Sequence, residues 1–528
     1  MGIPSYFSYI VKNHPNIIKK IEDYSFKINN LYLDSNSIIY DVVNSLTENI
    51  TTENIIRNVL IKIENLIQLL QPTTLVYIAF DGVAPVAKLN QQRERRYKSW
   101  YQGEMNKKLF NEVKKNAWNT TAITPGTVFM KELNDKIKSY FHSNKKVIVS
   151  TSYDYGEGEH KIFEYIRKNP EKHGNDLVTV IYGLDADLIM LSINHLPLNR
   201  NIYLFRETPH FIQSIHKDFD PNELYLLDIP ELANVIISNM NNGMELTTLQ
   251  QKNRIYDYIF MCFFLGNDFM PHFPSINIRT GGIDKMLNAY KATIGFTNDN
   301  LTDGKVIFWK NVRKLVTFLA EQEEEWFKNE MKVRDKREKF YYPTDTPDNI
   351  QKKFDALPTF EREMEKYINP FKSGWEQRYY EKLFKIDYRE ERIKSICQNY
   401  IEGLEWTMKY YTSGCPNWRW SYNYHYPPLL KDLLSVIPYF ETETVTICNE
   451  NPVSALVQLC YVVPKPSLSL LPKQLYDLLI LNHESWFKTD CEFIWTFCRY
   501  FWESHVDLPE ININELEDFI KSNEYLLK

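Results

Sequence analysis

Residues 147–167 read VIVSTSYDYGEGEHKIFEYIR, and residues 177–193 read LVTVIYGLDADLIMLSI. The two stretches share one layout. A short β-branched run, Val147–Val149 in the first and Leu177–Tyr182 in the second, has the pattern of a buried strand. A glycine-containing break follows, then two acids spaced i, i+2, then an apolar run of helical character. The acids are Glu157 and Glu159 in the first stretch, Asp185 and Asp187 in the second. Strand, turn and helix repeated in that order predict an α/β fold around a mostly parallel sheet. In such a sheet ligands bind beyond the carboxyl ends of the strands. The layout therefore predicts four anionic groups at one crevice. That cluster is costly unless cations sit in it, and hard oxygen ligands select Mg²⁺ or Mn²⁺ over zinc.

Two further strand-like runs end in an aspartate: Ser25–Asp34 (SFKINNLYLD) and Thr74–Asp81 (TLVYIAFD). One strand ending in Asp is commonly a turn or a helix cap. Three of them together with the GEGEH turn are better explained by a metal site. Asp268 follows another apolar run, YDYIFMCFFLGNDFMPHFP at 256–274; taken alone, that stretch reads as a helix end and a turn.

The 528 residues predict two or three domains, and 44% apolar with 25% charged residues describes a folded globular chain. The net charge of −6 argues mildly against nucleic-acid binding. One segment reverses that sign. Between 88 and 115 nine basic residues (Lys88, Arg93, Arg95, Arg96, Lys98, Lys107, Lys108, Lys114, Lys115) stand against Glu94, Glu104 and Glu112, a local excess of six. Lys88, Gln92, Arg95 and Arg96 are spaced i, i+4, i+7 and i+8, which puts them within an arc of about 100° on a helix. A stripe of that kind suits phosphate. The seven cysteines form no CxxC pair, so a reducing compartment is expected. No apolar run reaches membrane-spanning length. The N-terminus lacks the apolar core of a secretory signal, and Tyr6 breaks the myristoylation pattern.

Four segments are expected. Residues 1–245 form the α/β core that carries most of the acids, and 246–320 continue it to the last acid. Residues 321–374, opening on EQEEEWFKNEMKVRDKREK, form an exposed charged helix and linker. Residues 375–528 form a helical region rich in aromatics, which are either core packing or a platform for bases.

At these residues the chain resembles the Xrn family of 5′-3′ exoribonucleases. The blocks that carry the resemblance run nearly end to end: MGIPSYFSYI, LYLDSNSIIYD, FDGVAPVAKLNQQRERR, ITPGTVFM, GEGEHKIFEYIR, YGLDADLIML, LFRE, FLGNDFMPHFPS, YIEGLEWTMKYYTSGCPNWRWSYNYHYPP and SLLPKQL. The resemblance implies a core of the flap-endonuclease and PIN-like superfamily, followed by a helical second conserved region. It also implies processive, metal-dependent degradation of single-stranded RNA carrying a 5′-monophosphate, with release of mononucleotides. The implied metal ligands are Asp34, Asp81, Glu157, Glu159, Asp185, Asp187 and Asp268, holding two ions of Mg²⁺ or Mn²⁺. The implied 5′-phosphate pocket is Lys88, Gln92, Arg95 and Arg96. Lys161 is a candidate to stabilise charge on the phosphate, and Trp418 and Trp420 are candidates for stacking on bases. Cytoplasmic residence, with the nucleus as alternative, no membrane, and decapping or RNA-decay proteins as partners are further expectations.

The chain departs from the family pattern in places. Tyr40 stands where the family usually has a stacking His, Ser35 and Ser37 replace an apolar residue and a Gly, and Val86 replaces an Arg. The chain ends after the second conserved region, as a minimal version would. Two other readings stay open. One is a structure-specific DNA flap endonuclease, although FMPHFPSINIRTGGID after Asp268 lacks the glycine spacing of a helix-hairpin-helix. The other is an inactive RNA-binding scaffold, which the presence of all seven acids disfavours.

Overall fold

The computed structural model describes residues 5–48, 50–110, 118–183, 185–208, 217–448 and 450–527. Seven strands form one sheet: β1 (Ile18–Lys20), β2 (Asn30–Asp34), β3 (Leu75–Ala79), β4 (Val147–Ser150), β5 (Thr179–Tyr182), β6 (Ile202–Phe205) and β7 (Tyr225–Asp228). Their spatial order is β1-β7-β6-β5-β2-β3-β4. The pairs β2–β3, β2–β5, β3–β4 and β5–β6 are parallel, and the pairs β6–β7 and β1–β7 at one edge are antiparallel. The expected α/β class with a mostly parallel sheet is what the chain adopts.

Both faces of the sheet are covered, which explains why its strands read as unbroken apolar runs. Successive side chains point to opposite faces. Leu31, Leu33, Val76, Ile78, Val180 and Tyr182 pack on one side, with the helices Asn36–Ser45, Thr52–Leu70 and Val128–Phe141. Tyr32, Leu75, Tyr77 and Ile181 pack on the other, with the helices Gly158–Lys168 and Ala186–His195. From β2 the strand order runs outward through β3 and β4 on one side and through β5 and β6 on the other. The sheet therefore has its switch point between β2 and β5, where a crevice opens beyond the strand ends.

The rest of the chain is helical, apart from a short ladder of β8 (Phe493–Ile494) against β9 (His505–Val506). The charged stretch at 321–374 is not an exposed linker. Its first part belongs to a 30-residue helix, Trp309–Glu338, whose residues Trp309, Val312, Leu315, Val316, Leu319, Phe327 and Met331 are buried in the main core. Three- and four-residue spacing gives that helix a core-facing stripe. The stripe carries charges too, which is what misleads composition: Arg334 is buried and paired with Glu365 (Nη2–Oε1 2.5 Å, Nε–Oε2 2.8 Å). Among the described residues no helix is long and apolar enough to cross a membrane. The seven cysteines are free thiols.

The helix that carries the basic stripe is Val86–Phe110. Its start is anchored from an unexpected direction: Val83, Ala84 and Leu89 pack into a C-terminal cluster with Val457, Leu459 and Leu468. Glu112, Lys114 and Lys115 lie outside the described residues.

Candidate active site

The crevice at the switch point is a cavity of about 280 Å³. All seven predicted acids line it, together with Lys88, Gln92, Arg95 and Tyr40. Each acid arrives by a simple local device. Asp34 is the last residue of β2, and Asp81 lies two residues beyond β3. Glu157 and Asp185 precede the first residues of the helices Gly158–Lys168 and Ala186–His195, and Glu159 and Asp187 fall in the first turns. Helix N-termini favour carboxylates there. Asp268 comes from a separate loop, where Gly266 takes the left-handed region (φ 86°) and a side chain would also collide with His272.

Several contacts fix the carboxylates. The Asn36 amide donates to Asp81 Oδ2 (2.6 Å), and its own oxygen accepts from the Asp81 backbone N–H (3.0 Å). The Gly158 N–H donates to Asp81 Oδ1 (2.7 Å). A Cβ at Gly158 would lie 2.6 Å from an Asp34 oxygen, so the glycine keeps the cavity open. Tyr411 donates to Asp187 (2.7 Å) and Tyr410 to Glu157 (3.3 Å), both from the helix Glu390–Thr412. His160 stacks on Tyr410 at 3.7 Å between ring centroids. Asn36, Tyr410 and Tyr411, and the lining residues Asp41 and Arg206, were not singled out from the sequence; Ser37, which also lines the cavity, was noted there only as a departure from the family pattern. The GLEWTMKYYTSG block held the tyrosines, but nothing in its spacing says which ring meets which acid.

Electrostatics makes the cavity a receptor for cations. Burial pushes the carboxyl pKa of Asp34 well above the usual range, with Asp81 and Asp185 adding repulsion. Glu159 is raised likewise by burial and by Asp187, and Asp187 is pushed up to about 6 by burial and by Asp268. Glu157 is raised by burial against the pull of Lys88. Asp268 goes the other way: despite its burial, the Lys88 ammonium holds it below the carboxylate range. Lys88 itself is buried between Asp268 (2.5 Å) and Glu157. A donor set of seven carboxylates around one cavity fits hard, oxygen-preferring dications.

The predicted phosphate stripe divides. Lys88, Gln92 and Arg95 face the cavity, Arg95 is exposed, and the Gln92 Oε1 is buried without a protein partner. Arg96 does not line the cavity. Its guanidinium donates to Thr124 Oγ1 and to the Ile123 carbonyl, and burial lowers its pKa to about 10. Arg96 lies about 80° around the helix from Lys88, at the edge of the predicted arc.

Three other candidates stand elsewhere. Lys161 is buried, donates to the carbonyls of Phe80 (2.7 Å) and Thr151 (2.8 Å), and has its pKa lowered to about 8 by burial. It ties the ends of β3 and β4 together and lines a second cavity, not the acidic one. Trp418 lines that second cavity, edge-on to Tyr155. Trp420 stacks on Trp406 at 5.1 Å and packs against the main core.

Comparison with known proteins identifies the family. A model described as the XRN 5′-3′ exonuclease N-terminus matches residues 1–208, and one described as the Xrn1 helical domain matches 248–366 and 351–526. A 5′-3′ exoribonuclease 2 of Gallus gallus is 26% identical over 89% of this chain and 64% of its own length. One of Arabidopsis thaliana is 27% identical over 98% and 66%. A 5′-3′ exoribonuclease 1 of Saccharomyces cerevisiae is 26% identical over 91% and 40%. The chain thus spans about two thirds or less of the length of these relatives. With the two family models matched in order over most of its length, the chain belongs to the XRN family of 5′-3′ exonucleases.

Proposed function

We propose that the chain is a metal-dependent 5′-3′ exoribonuclease that removes mononucleotides processively from single-stranded RNA bearing a 5′-monophosphate. The observation that carries this reading is the meeting of seven carboxylates with Lys88, Gln92 and Arg95 in one cavity. Asp34, Asp81, Glu157, Glu159, Asp185, Asp187 and Asp268 would hold two ions of Mg²⁺ or Mn²⁺. When bound, such ions neutralise the phosphodiester, lower the pKa of water and stabilise the leaving oxygen.

The chain's own residues do the positioning. Asn36 and the Gly158 N–H fix both oxygens of Asp81. Tyr411 and Tyr410 hold Asp187 and Glu157 against rotation. Arg95, Gln92 and Lys88 offer a 5′-monophosphate a guanidinium, an amide and an ammonium from one helix. A 5′-hydroxyl leaves Arg95 without a counter-ion. Exclusion of a capped or triphosphate end is what the resemblance to the family implies. Tyr40, which also lines the cavity, supplies a ring for stacking on the first base. The free thiols fit a reducing compartment, the cytoplasm or the nucleus, and RNA-decay proteins are the partners this activity would call for.

The DNA-directed alternative predicts cleavage of duplex flaps, and the scaffold alternative predicts binding without turnover. A degradation assay with 5′-monophosphate, 5′-hydroxyl and capped RNA, and a DNA flap, with and without EDTA, separates them. The expected outcome is Mg²⁺-dependent loss of the 5′-monophosphate RNA alone. Preferred cutting of the flap, or no product from any substrate, overturns the reading.

A further inference from the structure

The other flank of the basic helix holds a second cluster of metal-ligating side chains. Glu94 stands between the stripe residues Gln92 and Arg95 in the helix Val86–Phe110, His425 sits in the YHYPP loop, and His505 opens β9. Three segments far apart in sequence thus converge on one point. The His425 Nδ1 lies 3.3 Å from one oxygen of Glu94, and the His505 Nδ1 lies 3.7 Å from the other. The two imidazoles stack at 4.8 Å between centroids, with 27° between their planes. One donor atom from each of the three residues lies within 4.8 Å of the other two. All three side chains border a cavity of about 180 Å³ that shares the wall residues Arg95 and Asp268 with the acidic one; none of the three lines the acidic cavity itself.

The contacts are longer than those of an ordinary ion pair, and the arrangement of donors suits an ion between them. A charge-assisted N–H···O contact is normally about 2.7–2.9 Å, and both contacts here are longer. Two ligands on one tetrahedral ion, with arms of about 2.0–2.1 Å, stand about 3.3–3.4 Å apart; the His425 contact has that separation, and the His505 contact, to the other carboxylate oxygen, is 3.7 Å. Both imidazoles also turn the same nitrogen, Nδ1, toward one carboxylate, an arrangement that three ligands of one cation share. We propose that Glu94, His425 and His505 form a site for one transition-metal dication of the zinc class, with its remaining position open to water. The donor set separates this site from the first. Two imidazoles and one carboxylate select a borderline ion such as Zn²⁺ or Co²⁺, whereas the carboxylates around Asp34 select Mg²⁺.

The position gives the ion a structural task. It would fasten the basic helix to the YHYPP loop and to the β8–β9 ladder, one residue before Arg95. Lys98, one turn further along, donates to the carbonyls of Trp502 (3.1 Å) and Ser504 (2.6 Å), so the same strap is already tied to that helix by hydrogen bonds. This inference does not depend on what the acidic cavity hydrolyses.

The test uses the full chain, stripped with chelator and returned to buffer with excess Mg²⁺. Titration with Co²⁺, followed by calorimetry and by visible absorption, reads the site directly. The expected result is one equivalent of Co²⁺ bound by the wild type with the intense visible band of tetrahedral cobalt. Glu94→Gln and His505→Asn should each weaken binding by more than about 100-fold. Asp187→Ala, in the acidic cavity, should leave Co²⁺ uptake unchanged. Metal-free melting of each variant identifies one that has unfolded, and the other then carries the comparison. Co²⁺ uptake that survives in Glu94→Gln and His505→Asn but is lost in Asp187→Ala would place the ion among the carboxylates and overturn the proposal. So would the absence of binding to the wild type.

Discussion

Arg95 and Arg96 are neighbours in sequence and differ in what they face. Arg95 is exposed at the rim of the acidic cavity, while Arg96 is spent on Thr124 and Ile123 behind it. Arg95→Ala should therefore lower kcat/KM on 5′-monophosphate RNA by roughly 10- to 100-fold, the equivalent of about 1.5–3 kcal/mol for a hydrogen bond to a charged group. It should change the slower reaction on 5′-hydroxyl RNA little. Arg96→Ala should lower the melting temperature while leaving the ratio between the two substrates unchanged. Parallel rate measurements at fixed salt decide it, since phosphate contacts are salt-sensitive. An equal loss on both substrates in Arg95→Ala would assign that residue to the RNA backbone in general. Helical spacing could group the four stripe residues but could not separate them. The Thr124 that claims Arg96 is 28 residues away, and no period links the two. Lys161 misleads for the same reason: its partners are backbone carbonyls, which no sequence pattern marks.

At the scale of elements, the strands and the acids at their ends were legible because a parallel sheet buried on both faces leaves short, unbroken apolar runs bounded by turn residues. The helix Trp309–Glu338 was not legible, because three of its buried positions are Glu323, Glu330 and Arg334. Glu323 accepts the Leu430 N–H at 2.9 Å, joining this helix to the short helix Leu430–Leu433. Burial pushes its carboxyl pKa up to about 8, with the Leu430 and Lys431 N–H groups pulling it down only in part. The folded state thus holds a proton that the unfolded chain releases near pH 4.5. That contribution to stability is fully present below pH 4.5 and is lost as the pH rises through about 8. Glu323→Gln keeps the acceptor and removes the charge. Its melting temperature should match that of the wild type at pH 5 and exceed it at pH 8.5, by the equivalent of roughly 1–3 kcal/mol. Melting curves across that range check it; a variant less stable at pH 8.5 would mean the ionised carboxylate is stabilised where it sits.

At the scale of the molecule, the site belongs to no single segment. Six of its acids come from the first 187 residues, Asp268 comes from the loop before the helical half, and the two tyrosines that hold Glu157 and Asp187 come from the helix Glu390–Thr412. Asp268, in a loop, is marked only by the resemblance to the family; the other six acids could be read from sequence because each sits at a strand or helix end. The tyrosine supports could not, because Tyr411 and Asp187 are 224 residues apart. Folding therefore assembles a crowded anionic cavity whose carboxylates repel one another, and Lys88 alone supplies a buried ammonium among the cavity's described residues. The cavity should cost stability until dications fill it. Any ion that binds only the folded chain stabilises it by mass action, about 2.7 kcal/mol at a hundred times its Kd. Mg²⁺ should accordingly raise the melting temperature of the wild type by several degrees, and EDTA should reverse the gain. Asp187→Asn keeps an oxygen for the Tyr411 hydroxyl and removes one negative charge. In EDTA that variant should melt at or above the wild-type temperature, because one source of repulsion is gone. In Mg²⁺ it should gain less than the wild type and should have lost its turnover of 5′-monophosphate RNA. Scanning calorimetry of both proteins in both buffers separates the outcomes. A variant that melts lower in EDTA and gains as much from Mg²⁺ would show that Asp187 is a structural partner of Tyr411, and that the ions are held by the other six carboxylates without it.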